Sequence, residues 1–164
     1  MKTLLLLRHA KSSWGDATLP DHDRPLNPRG QRDVPRMGQW MREQGLCPSL
    51  IASSTAVRAQ ATAQGVAEAC GYRHELVSVP QLYLGCPSDY VNYLRTVGEQ
   101  YPSVLVVGHN PGLEQLLELL TGVCQRFPTA ALAQIMWDDL RWVDLTALPT
   151  GQLVLLQRPK MLVA

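Results

Sequence analysis

The chain has 164 residues, 46% of them hydrophobic and 18% charged, with a formal net charge of +1. Those values suit one domain, residues 1–164, able to bury about 70% of the surface its unfolded form exposes. They exclude a disordered, collagen-like or coiled-coil chain, and a charge so near zero provides no global field for gathering nucleic acid or anionic membrane.

The apolar run Leu4, Leu5, Leu6 and Leu7 leads directly into Arg8, His9 and Lys11. A continuous apolar segment of strand length is the pattern of a buried strand in a parallel sheet covered on both faces. In open α/β sheets ligands bind beyond the carboxyl ends of the strands, so Arg8 and His9 stand at the expected address. A signal peptide is not expected, because Arg8 cuts the apolar run short, and no stretch approaches the roughly 20 apolar residues needed to span a bilayer. A cytoplasmic location is therefore expected.

Residues 12–27 carry Gly15, Pro20, Pro25 and three aspartates without periodicity, which predicts a long functional loop. Asn27 and Pro28 then predict the N-cap and first position of a helix that Gly45 ends, with Pro35 tolerated near its start. Leu50, Ile51 and Ala52 predict a second strand. Ser53, Ser54 and Thr55 suit the N-cap of an alanine-rich helix that contains Arg58 and stops at Gly71. A peripheral strand is expected over 75–79, a loop over 80–87, and a helix capped by Ser88 running to Gln100. Val104, Leu105, Val106 and Val107 repeat the first strand's pattern and run into Gly108, His109, Asn110, Pro111 and Gly112. A helix over 113–120 and strands over 131–137 and 152–157 complete an α/β fold: a single-domain, three-layer αβα architecture around a mixed, mainly parallel sheet. Cys47, Cys70, Cys86 and Cys124 are irregularly spaced and read as reduced, mostly buried thiols.

Two of the four histidines, His9 and His109, follow the two most continuous strands. If those strands pair in parallel, both imidazoles enter one crevice with Arg8, and the start of a helix adds positive potential. Arginines and histidines without a carboxylate cluster make a poor metal site but a good phosphate site. Guanidinium forks pair with phosphoryl oxygens, and a neutral imidazole is a competent nucleophile toward phosphorus.

The motifs Leu7 to Trp14, Asp23 to Asn27 with Gly30, Ser54 to Ala63 around Arg58, Leu82-Tyr83 and Val107 to Gly112 resemble the histidine phosphatase superfamily. Within branch 1, the phosphoglycerate mutase-like branch, they resemble the small SixA-type phosphohistidine phosphatases. The resemblance implies a phosphoglycerate mutase-like fold and a reaction with no metal and no cofactor. In it His9 is the nucleophile that becomes phosphorylated, while Arg8, Arg58 and His109 hold the phosphoryl oxygens, with Lys11 and Asn110 as further phosphate-binding candidates. Members that cleave phosphate esters usually supply a glutamate as general acid after the second helix, and residues 82–89 contain none. Asp16, Asp21, Asp23 and Asp89 are the substitutes, Asp89 reading better as a first-turn helix residue and Asp23 as an ion-pair partner of Arg24. An imidazole leaves more readily than an alkoxide, so the missing acid favours a P–N substrate. The implied partner is a phosphohistidine-containing protein, such as a histidine phosphotransfer domain. A phosphatase of small phosphate monoesters and a phosphate-binding module without turnover are the alternatives.

Overall fold

The computed structural model describes residues 1–162. Strands β1 (Lys2–Arg8), β2 (Leu50–Ser53), β3 (Val77–Ser78), β4 (Ser103–Gly108), β5 (Leu132–Trp137) and β6 (Gln152–Gln157) form one sheet in the order β3-β2-β4-β1-β5-β6. The first four are mutually parallel, and β5 and β6 are antiparallel additions. The sheet is therefore mixed and the fold α/β, as the apolar runs imply. Helices α1 (Pro28–Glu43) and α2 (Val57–Cys70) pack on one face, α3 (Pro87–Leu94) and α4 (Gly112–Thr121) on the other.

The strand pattern explains the layers. Successive side chains of a strand point to opposite faces, so Leu4, Leu6, Val104 and Val106 join the core under α3 and α4, while Leu5, Leu7, Leu105 and Val107 join the core under α1 and α2. Both faces are covered, and the strands have no polar alternation to show. Close packing of the first helix pair depends on small residues: a Cβ on Gly38 would stand 2.6 Å from the Cβ of Ala69.

Helix starts were less legible than strands. Asn27 caps α1 as expected, its side chain accepting from the Gly30 amide. The cap of α2 is Ala56, with no side-chain bond; Ser54 stands two residues before it, its hydroxyl accepting from the Ala56 amide at 3.2 Å and lying 2.7 Å from His109 Nε2. Helix α3 begins at Pro87 with Cys86 as N-cap and ends at Leu94, shorter than its apolar spacing suggests. Asp89 closes a capping box by accepting from the Cys86 amide. The cysteine expectation also fails in part: Cys70 is buried, whereas Cys47, Cys86 and Cys124 are exposed, all as free thiols. Among the described residues no helix is long and apolar enough to cross a membrane.

Candidate active site

Strand β1 pairs with β4 so that Arg8 faces Gly108, and the His9 amide donates to the Gly108 carbonyl at 3.0 Å. One residue further along each strand, the His9 and His109 rings lie side by side with centroids 5.1 Å apart. Adjacency of two parallel strand ends thus produces the pair. Its walls are fixed by backbone-directed bonds: the Ala10 amide donates to Thr62 Oγ1 of α2, and the His109 amide donates to the Tyr90 hydroxyl of α3. Each helix layer pins one histidine segment.

The imidazoles differ in their partners. His9 Nδ1 is 2.7 Å from the Ala10 carbonyl oxygen, which can only accept, so Nδ1 carries the hydrogen and Nε2 keeps its lone pair. His109 Nε2 lies 2.7 Å from Ser54 Oγ, and its Nδ1 lies 3.5 Å from the Arg58 guanidinium. Burial pushes the His9 pKa down to about 4 against the pull of the Ala10 carbonyl, with Arg58, Arg8 and Arg24 adding to the depression. Burial likewise takes His109 to about 3, with His9 and Arg58 contributing. Both rings are neutral at pH 7.

Arg58, on the first turn of α2, is 4% exposed rather than a surface residue of an amphipathic helix. It donates to the Asp21 carbonyl oxygen at 2.7 Å and to Asp21 Oδ2 at 3.0 Å. Asp21 also accepts from Arg24 at 3.1 Å and from the Tyr83 hydroxyl at 2.6 Å. Those bonds, the Tyr83 hydroxyl's first among them, hold the Asp21 pKa down to about 2. Arg24 pairs with Asp21 and not with Asp23, which contacts His22 instead. The adjacent pair is replaced because the short 3₁₀ turn Asp21–Asp23 brings Asp21, three residues back, over the guanidinium.

These groups line a cavity of about 250 Å³. Among the described residues Arg8, Lys11, Arg24 and Arg58 are its cations, His9 and His109 its imidazoles, and Asp21 its one carboxylate. Lys11 therefore faces the cavity. Asn110 does as well, but its amide donates to Glu114 Oε1 at 3.1 Å and to the Phe127 carbonyl at 2.8 Å, so it holds the 126–129 segment and has no free N–H for phosphate. Asp16 and Asp23 do not line the cavity, and Asp89 serves α3.

Reading the sequence missed Ser54, Thr62, Tyr90 and Arg24 as parts of the site. Ser54 and Thr62 lie in the Ser54 to Ala63 motif, but nothing local marks their hydroxyls, or that of Tyr90, as partners across a helix–sheet junction. Arg24 had one, its place between Asp21 and Pro25 in a loop already marked as functional.

A model of the histidine phosphatase superfamily (branch 1) matches residues 4–82. A Mycobacterium tuberculosis protein is 31% identical over 154 residues, covering 82% of this chain and 91% of its own. The chain belongs to the histidine phosphatase superfamily, branch 1. Among solved structures, SixA from Agrobacterium tumefaciens, assigned as a phosphohistidine phosphatase, is 28% identical with a TM-score of 0.82 over 96% of this chain and 98% of its own. SixA from Nakamurella multipartitia, with the same assignment, is 26% identical with a TM-score of 0.81 over 96% of each chain. Within the superfamily the chain is of SixA type, with its phosphoglycerate mutase-like fold.

Proposed function

We propose that this phosphatase removes the phosphoryl group from phosphohistidine in a protein, through a phosphorylated His9. The observation that carries the reading is the composition of the cavity: a neutral His9 with Nε2 free, ringed by cations, and no carboxylate except an Asp21 whose oxygens are bonded to Arg58, Arg24 and Tyr83.

In the first step the His9 Nε2 lone pair attacks phosphorus, the P–N bond to the substrate imidazole breaks, and that imidazole departs with its electron pair to be protonated by solvent. In the second step water attacks the phosphorus of phospho-His9, the P–Nε2 bond breaks, one water proton is released, and inorganic phosphate leaves. Arg8, Arg58 and Lys11 hold the equatorial oxygens, where charge builds during both transfers. Ser54 can accept from or donate to His109 Nε2 and so permits either tautomer; the one in which Ser54 donates leaves an N–H on Nδ1, which serves as a neutral donor to the phosphoryl group in place of its 3.5 Å contact with Arg58. Nothing in this cycle needs a protonated carboxyl group, and the cavity provides none: Asp21 is ionised far below neutral pH. An alkyl phosphate would have to expel a strongly basic alkoxide without that proton.

Acid-labile, alkali-stable label on His9 after brief mixing with a phosphohistidine protein, and turnover lowered at least about a thousandfold by His9→Ala, are expected. Faster cleavage of an alkyl phosphate monoester than of phosphohistidine would reverse the substrate assignment, and undiminished turnover by His9→Ala would refute the nucleophile.

A further inference from the structure

A second, larger recess of about 570 Å³ opens on the far side of Arg8. It shares Arg8 and Thr129 with the phosphate cavity, so the two adjoin at that wall. Around it stand Arg29 from the start of α1, Arg126 from the 126–129 segment, and Arg158 and Lys160 after β6. Among the described residues Glu114 is its one carboxylate, and it accepts from the Asn110 side chain and from the Phe127 amide at 2.8 Å. Arg29 lies 3.7 Å from Asp33, whereas among the described residues Arg126, Arg158 and Lys160 have no carboxylate within 4.0 Å. In a chain of net charge +1 this is a local concentration of unneutralised cations. Arg8, a phosphoryl ligand in the proposed cycle, donates to the Phe127 carbonyl at 3.2 Å and stands where the two recesses meet.

We infer that this groove receives an acidic segment of the protein that carries the phosphohistidine, an inference that rests on the protein-phosphohistidine reading above. The chemistry of the walls is complementary to carboxylates. The cations are long side chains from three separate segments of the chain, Arg29, Arg126 and Lys160 exposed and Arg158 half-buried, an adaptable surface and not a rigid pocket shaped for one small molecule. Because the two recesses adjoin at Arg8 and Thr129, a chain delivering a phosphoryl group to His9 can lay its neighbouring residues past Arg8 and into the groove. Such charges act mainly on encounter and on KM, with strong dependence on ionic strength.

The test uses two fluorescent peptides carrying a non-hydrolysable phosphonate analogue of phosphohistidine, one flanked by aspartates and one by serines, with binding followed by anisotropy. At about 20 mM salt the aspartate peptide should bind about tenfold more tightly, and the preference should vanish at about 0.5 M salt and in the combined variant Arg126→Ser, Arg158→Ser, Lys160→Ser. These three side chains make no hydrogen bond or ion pair to the fold among the described residues, so the variant should bind the serine peptide as the parent does. Equal affinities for both peptides in the parent, or a preference that survives the triple substitution, would overturn the inference. Hydrolysis of the corresponding true phosphohistidine peptides is measured separately. If neither is turned over while the binding preference holds, the substrate assignment fails and the groove stands.

Discussion

At the residue scale, reactivity here depends on which groups hold a charge before substrate arrives. His9 is buried and ringed by arginines, and both influences disfavour the imidazolium, so its lone pair is available across the neutral range. Asp21 does the opposite service. It draws Arg58 and Arg24 into place while occupying, as an anion, the space beside an incoming phosphoryl group. Asp21→Asn should separate these two effects. Removing the negative charge relieves repulsion, so the inhibition constant for inorganic phosphate should fall or stay level. Arg58 keeps its bond to the backbone carbonyl and its 3.5 Å contact with His109 but loses the ion pair, so kcat should drop about tenfold as the guanidinium loses part of its fixed orientation. Steady-state kinetics with phosphate as inhibitor checks both, and weaker phosphate binding with unchanged kcat would show that Asp21 serves affinity and not the transition state.

At the scale of elements, the site is a consequence of how strand ends and helix starts are spaced, and some of that spacing depends on single hydrogen atoms. A Cβ added to Gly30 at the start of α1 would come to 2.2 Å from the Lys11 carbonyl oxygen and 3.0 Å from the Lys11 nitrogen. Both atoms are backbone, two residues beyond His9, and cannot step aside alone. Gly30→Ala should therefore lower stability by about 1–3 kcal/mol and reduce kcat together with it, as read by thermal melting and turnover. Gly98→Ala makes the control, because its Cβ would meet the flexible Gln100 side chain and leave both measures nearly unchanged. The strands behind these contacts were plain in the sequence: Leu4 to Leu7 and Val104 to Val107 have no polar residue because helices cover both faces, and their parallel pairing already implied that His9 and His109 meet. The helix caps were not. Ser54 looks like a cap, yet its hydroxyl accepts from the Ala56 amide just ahead of the helix and also meets the buried His109 imidazole, and nothing local in the sequence reveals that second partner. Asp21 posed the same difficulty, since an aspartate in a loop carries no mark of whether it will donate a proton or hold arginines.

At the scale of the whole molecule, the cavity makes folding itself depend on pH, with a sign that follows from the histidines. Their ordinary pKa is 6.5, and burial lowers His9 to about 4 and His109 to about 3. Between pH 6.5 and 4 the unfolded chain binds more protons than the folded one, so stability must fall as the pH falls through that window. His9 alone accounts for a loss on the order of 3 kcal/mol by pH 4, and His109 for a similar slope. Asp21 follows the other pattern: its pKa is depressed from 3.8 to about 2, so the stability it contributes is present above pH 3.8 and disappears below it. The two windows barely overlap, which makes the histidine contribution measurable by itself. Melting temperatures recorded from pH 7 down to pH 4.5 should decline steadily, and His9→Gln, which removes one of the two buried bases, should reduce the slope by about half. An unchanged slope would mean that His9 does not remain neutral in the folded protein, and the same result would undercut its role as a nucleophile at neutral pH. Saturating inorganic phosphate should also flatten the decline, because an anion between the imidazoles and the arginines favours the protonated rings and raises both pKa values toward that of the unfolded chain.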